Sequence, residues 1–329
     1  MIKLILTTFL FSILLCSGCD DNKPTEPLPE PRPEGWIALG LADKTINRLV
    51  IAGEWLYACA ARDGLYRIKH PANRNDEWQF LGLEDLDVFN GALFGVTDVV
   101  VRDDTLVAAV WSGTETPGIF RSVDDGRTWV PSDSGFLSED LGSSRRPILG
   151  FDSGAELSFH SIGLHSRRES EIWVGGDVPN SGLPLLYRSM DTGLIWQEVL
   201  KHPHDPFLFP DDANDIAFDA RNDETVYVCL NKTLVKSEDS GKVWVTSIDT
   251  LDKGIIWNVT SNASDSAELI VCSTDSLYAT RDAGASWSTF AAAPEKMPPM
   301  KDLAVDWQER VLYVSSTYNP SRGVYQLYS

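Results

Sequence analysis

One eight-residue pattern constrains this chain more than any other feature: Ser/Thr-x-Asp-x-Gly-x-x-Trp, found four times without an insertion. Ser122 to Trp129 reads SVDDGRTW, Ser189 to Trp196 SMDTGLIW, Ser237 to Trp244 SEDSGKVW and Thr280 to Trp287 TRDAGASW. The residue types suit a tight turn between two strands. The aspartates (Asp124, Asp191, Asp239 and Asp282) can accept hydrogen bonds from backbone amides a few residues on. The glycines (Gly126, Gly193, Gly241 and Gly284) tolerate the positive φ that closes such a loop. The tryptophans (Trp129, Trp196, Trp244 and Trp287) open the next strand and bring a large apolar ring to one point.

The octets belong to longer repeats. Before each lies a short apolar segment centred on Phe120, Tyr187, Val235 or Tyr278, and two further copies without the octet centre on Tyr66 and Tyr325. Upstream of each centre are two more β-rich runs, for example VTDVVVRD then LVAAVW, or ANDIAFDA then TVYVCL. A unit of this length supplying three strands, with a fourth after the tryptophan, is the period of a propeller blade. The sixth unit ends at Ser329 with no room for its fourth strand, and Trp36 to Gly40 has the shape to supply it. A six-bladed all-β propeller closed by an N-terminal strand follows, with a seventh blade as the alternative if residues 131–157 hide a degenerate unit.

The octet resembles the Asp-box, or BNR, repeat of sialidases and related propellers over roughly residues 35–329. The broader resemblance takes in propellers similar to photosystem assembly factors, which act as scaffolds for protein partners. Two function classes are thereby implied. One is a non-enzymatic propeller that binds a protein or glycan partner at its channel mouth. The other is a sialidase-like glycoside hydrolase, which requires three arginines on a substrate carboxylate, a Tyr/Glu pair and an Asp acid/base. The family's Arg-Ile-Pro signature is absent; the nearest string is Tyr66-Arg67-Ile68-Lys69. The binding reading is the better supported, with no catalytic residue assigned and the Asp-box residues taken as structural. Ligand residues are expected on loops at the opposite end of the blades: Arg62, Trp111, Arg145, Arg146, Asp177, Tyr318 and Arg322. Arginine forks beside aromatics suit a carboxylate or a sugar.

Residues 1–18 read as a signal peptide, with Lys3 ahead of an apolar stretch from Leu4 to Leu15. Cys16-Ser17-Gly18-Cys19 resembles a bacterial lipobox, which implies lipidation of Cys19. Residues 19–34 form an acidic, Pro-rich tether too poor in apolar groups to fold. Its fourteen residues from Asp20 to Pro33, extended at ~3.1 Å each, reach about 40 Å. The expected setting is the bacterial cell envelope, with the membrane met only through the lipid. A net charge of -20 repels phosphate backbones, so nucleic acid is excluded as a partner. No cofactor or metal is expected, although His202-x-His204-Asp205 has chelating types, and the chain is expected to be a monomer. Cys59, Cys229 and Cys272 recur in one slot of three units, so they read as small buried hydrophobes rather than bridges.

Overall fold

The computed structural model describes residues 37–73, 75–83, 95–111, 118–132, 134–136, 158–178, 183–199, 213–248, 255–262, 264–274, 276–292, 300–316 and 323–328. Among them lie six four-stranded antiparallel sheets arranged as blades around a channel. The first strand, β1 (Ile37–Gly40), is set aside for the last blade. Blade one comprises β2 (Ile46–Ala52), β3 (Trp55–Ala60), β4 (Gly64–Lys69) and β5 (Gln79–Phe80). Blade two comprises β6 (Gly95–Arg102), β7 (Thr105–Trp111), β8 (Ile119–Ser122) and β9 (Val130–Pro131). Blade three comprises β10 (Ser158–Leu164), β11 (Ile172–Val178), β12 (Leu183–Ser189) and β13 (Gln197–Glu198). Blade four comprises β14 (Ala213–Phe218), β15 (Val226–Leu230), β16 (Thr233–Ser237) and β17 (Val245–Ile248). Blade five comprises β18 (Ile256–Asn262), β19 (Asp265–Ser273), β20 (Ser276–Thr280) and β21 (Ser288–Ala292).

Blade six closes the ring. It holds β22 (Met300–Asp306), β23 (Val311–Ser316) and β24 (Gly323–Tyr328), and its outer edge is β1, antiparallel to β24 with Ile37 opposite Gln326. The innermost strands contact one another in sequence, and β22 returns to β2. Joining the two ends of the described chain in one sheet leaves no blade half-built. The seven-bladed alternative is not realised.

Apolar clusters fill the seams between blades. Val107 and Ile119 of blade two meet Phe159, Val174, Tyr187 and Trp196 of blade three in one such cluster. Phe136 is wholly buried there, stacked on Trp196 at 5.3 Å between centroids. The chain after β9 wedges Phe136 between the blades because an aromatic ring gains more from the apolar seam than from water.

The octet geometry extends the sequence reading. Ser122 Oγ donates to Asp124 at 2.8 Å and accepts the Gly126 amide at 3.0 Å, while Asp124 accepts the Thr128 amide at 2.8 Å. The other three copies repeat this arrangement. Each turn has two successive left-handed residues, such as Asp125 at φ 59° before Gly126 at φ 80°. The tryptophan ends the turn and the fourth strand begins one residue later, as at Val130 after Trp129. Its ring does more than cross its own hairpin. The Trp129 indole donates to the Leu81 carbonyl and the Trp196 indole to that of Ser132, each in the segment following the preceding blade's outer strand. The octet therefore fastens one blade to the one before it.

Candidate binding site at the channel mouth

Each innermost strand slips register near its beginning, and β18 slips again between Ser261 and Asn262. The shift falls between Ile46 and Arg48, Val96 and Asp98, Phe159 and Ser161, Ala213 and Asp215, Ile256 and Asn258, and Met300 and Asp302. A bulge leaves one residue unpaired and re-aims its side chain. The six bulged residues are Asn47, Thr97, His160, Asn214, Trp257 and Lys301, one per blade. With Arg48 as floor, they line a cavity of about 280 Å³ at the mouth of the channel. Lys301 Nζ lies 3.4 Å from the centroid of the Trp257 ring, a cation–π pair between blades six and five. Asn47 and Asn214 donate their amides to the Val96 and Ile256 carbonyls, and Thr97 donates to main-chain carbonyls of blades two and three. Backbone contacts thus hold the polar wall in place.

Directly beneath lies a ring of six side chains: Arg48, Asp98, Ser161, Asp215, Asn258 and Asp302. Arg48 donates to Asp302 at 3.0 Å, to Asp98 at 2.8 Å and to Asp215 at 2.5 Å. Each aspartate also accepts a main-chain amide from the next blade. Asp98 takes that of Ile162 at 2.7 Å, Asp215 that of Val259 at 2.7 Å and Asp302 that of Leu49 at 2.5 Å. Even-numbered blades carry the carboxylates and odd-numbered blades the Arg, Ser and Asn, so the ring ties all six inner strands through the axis.

Three carboxylates share one guanidinium, and all are buried. Burial pushes the Asp98 carboxyl up to about 6 and that of Asp302 up to about 7, against the opposing pull of Arg48. Burial also works against the Arg48 charge, but Asp215, Asp98 and Asp302 outweigh it and hold the guanidinium above its ordinary range. Asn258 Oδ1 is buried and meets no donor among the described residues. Below the ring the channel continues as a second cavity of about 280 Å³, lined by the remainder of the inner strands.

Small residues stand opposite this ring on the second strands. Cys59 pairs with Arg48, Cys229 with Asp215 and Cys272 with Asn258; Ala109, Gly175 and Ser315 fill the other slots. All three cysteines are free and fully buried, and burial raises each thiol well above its ordinary value. They are inert packing groups.

Of the residues expected from sequence, Arg62 lies in a 3₁₀ turn, Ala61–Asp63, between β3 and β4. Trp111 pairs with Gly95 at the start of β6, and Asp177 with Ser158 at the start of β10. All three positions belong to the mouth end of the blades, opposite the octets. Arg145, Arg146, Tyr318 and Arg322, like Cys19, Trp36 and the His202–Asp205 string, lie outside the described residues. Sequence reasoning missed the bulge residues and the ring below them. The aligned runs INRLVIAG, VTDVVVRD, FHSIGLHS, ANDIAFDA, IIWNVTSN and MKDLAVDW contain both positions in every unit, but their chemistry changes from blade to blade.

The fold and the channel define the class: this is a six-bladed β-propeller closed by its N-terminal strand. No protein-family model and no curated protein matches the sequence. Among solved structures, the GH74 xyloglucanase from Xanthomonas campestris is similar at 18% identity and a TM-score of 0.57, over 90% of this chain and 46% of the other. The extracellular domain of BT4673 from B. thetaiotaomicron aligns at 13% identity and a TM-score of 0.50, over 85% and 32%. YCF48 from Cyanidioschyzon merolae aligns at 12% identity and 0.47, over 89% and 98%. The chain spans about half the length of the xyloglucanase, and at these identities the likeness is one of fold.

Proposed function

We propose that this chain is a binding propeller of the bacterial envelope, lipid-anchored through Cys19, which takes a protein or glycan partner at its channel mouth without turning it over. The mouth cavity carries the reading: one side chain from every blade, an aromatic ring, amides, a hydroxyl and a cation converge on it. Such a mixture suits a partner that offers hydroxyls, amides or a carboxylate together with an apolar face. The three carboxylates directly beneath the mouth cavity, Asp98, Asp215 and Asp302, are committed to Arg48 and to main-chain amides. A general acid and a nucleophile both need an oxygen free to approach substrate, so these aspartates are poorly suited to hydrolysis.

The test pairs binding with turnover. Purified protein is presented to a glycan array and to envelope extracts for capture, then assayed on fluorogenic sialosides and on xyloglucan. Expected is retention of a defined glycan or protein, weakened tenfold or more by Trp257→Ala (about 1.4 kcal/mol or more), with no hydrolysis. Hydrolysis lost on mutating Arg62, Arg145, Arg146 and Arg322, the arginines expected from sequence to meet a ligand, would establish the sialidase-like alternative instead.

A further inference from the structure

The hydrogen-bonding polarity of the mouth cavity narrows the class of ligand, an inference that rests on the binding reading above. Asn47 Nδ2 donates to the Val96 carbonyl at 2.9 Å. Asn214 Nδ2 donates to the Ile256 carbonyl at 3.0 Å and to Asn231 Oδ1 at 3.1 Å. A carbonyl oxygen only accepts, so the nitrogen of each amide faces its partner and Oδ1 turns the other way. Neither Oδ1 meets a donor among the described residues. The single hydrogen of the Thr97 hydroxyl is held between the Ala109 carbonyl at 3.0 Å and that of Phe159 at 3.1 Å, which leaves its lone pairs over. Blades one, two and four thus offer the cavity oxygens that accept.

The donors stand elsewhere in the same cavity. Arg48 forms the floor and is 5% exposed. It gives three hydrogen bonds to Asp98, Asp215 and Asp302, while its Nε–H meets no acceptor among the described residues. Lys301 lies over one face of the Trp257 ring, which leaves the other face on the side of Asn214 and blade four. The positive charge of the floor is more than balanced by the three carboxylates that hold it. That floor closes the cavity below, and about 280 Å³ is at the small end for a ligand pocket. A chain end fits such a cup, and a chain running through does not.

A carboxylate accepts without donating, so it would set its oxygens against those of Asn47, Thr97 and Asn214. An ammonium or guanidinium donates without accepting, and meets Arg48 and Lys301 as like charges. A hydroxyl does both. A peptide main chain also does both, but spreads its groups along an extended strand that a closed cup does not admit. A pyranose carries hydroxyls around its edge and C–H groups on its face, and the face suits an indole. We propose that the mouth holds the terminal unit of a neutral glycan end-on. Its hydroxyls donate to Asn47, Thr97 and Asn214 and accept from Arg48 and Lys301, and one sugar face lies on Trp257.

Calorimetric titration of the purified full chain takes cellotetraose, xylotetraose and mannotetraose as neutral probes, with tetragalacturonate and sialyllactose as acidic ones. At least one neutral probe is expected to bind about tenfold or more tightly than either acid. Its affinity should hold as salt rises from ~0.05 to ~0.5 M, because no net charge is paired. Deoxyfluoro versions of the bound sugar read the direction of each hydrogen bond, since fluorine cannot donate. Replacing the hydroxyl that meets Asn47 should weaken wild-type binding about tenfold, and the difference should vanish in Asn47→Ala; Asn214→Ala gives the same comparison for its own hydroxyl. An acid that binds more tightly than every neutral probe, an affinity that falls with salt, or a fluorine scan without loss overturns the proposal. A protein retained at the mouth and lost in Trp257→Ala, with no saccharide bound, overturns it too and leaves the binding reading standing. Hydrolysis of a bound neutral glycan would instead overturn the binding reading and uphold the ligand class.

Discussion

At the scale of single residues, two sets of aspartates work in opposite directions. In the octets, hydrogen bonds to the ionised form hold the carboxylates down. Asp124 falls to about 2, chiefly through Thr128, and Asp282 to about 2, chiefly through Ser286. Their contribution to stability is present above the unfolded value near 4 and is lost as pH falls toward 2. In the channel ring, Asp98 and Asp302 are raised to about 6 and about 7. The folded chain then binds more protons than the unfolded one above pH ~4, so stability falls as pH rises through ~6 and ~7. Urea midpoints from pH 3 to 9 should peak on the mildly acidic side. Asp302→Asn should flatten the decline between pH ~4 and ~7; an unchanged slope would mean that the ring is not its source. Gly241 makes a separate point. Its φ is 86°, and a Cβ there would lie 2.7 Å from the Trp173 ring. Gly241→Ala should therefore cost about 1–3 kcal/mol in denaturant titration, through strain and overpacking together.

At the scale of elements, the unit that matters is the seam. The octets looked like hairpin closures, and their hydrogen bonds do close hairpins. Their tryptophans and glycines face the preceding blade, however, which is why a short turn recurs with a ring at a fixed offset. Trp196 shows how much rests on one such contact. It is 2% exposed, stacks on Phe136 and donates to the Ser132 carbonyl at 2.9 Å. Trp196→Ala should cost about 3–5 kcal/mol, since the rigid strands around it cannot collapse into the space. Trp129→Ala, at a partly buried position, should cost less, and thermal or urea unfolding of the two variants gives the comparison. The four octets and the third-strand centres were legible because each recurs with the same residue types. Phe136 was not, because nothing near it repeats and its segment reads only as a long connection.

At the scale of the whole molecule, the register of β1 matters most. Ile37 pairs with Gln326 and Gly40 with Val324, so the described chain enters the ring at the octet end, opposite the mouth. If Cys19 carries the lipid, Cys19→Ala should abolish incorporation of labelled palmitate and move the protein from the membrane fraction to the soluble one. Retention in the membrane would show that something other than Cys19 holds it.

The amino-acid sequence by itself determined the strand repeat, the octet turns and closure by the N-terminal strand, while the closed ring of inner strands decided six blades over seven. Those features depend on contacts within one unit or between adjacent units, and they recur as the same letters at similar spacing. Only the tertiary structure decided what stands at the channel. Arg48, Asp98, Asp215 and Asp302 come from four separate blades, and the mouth residues from all six. The shared property at each level is a place on the innermost strand, set by a bulge, while the side chain there differs from blade to blade. A site assembled by rotation about an axis leaves no motif along the chain, because its members become neighbours only when the ring has closed.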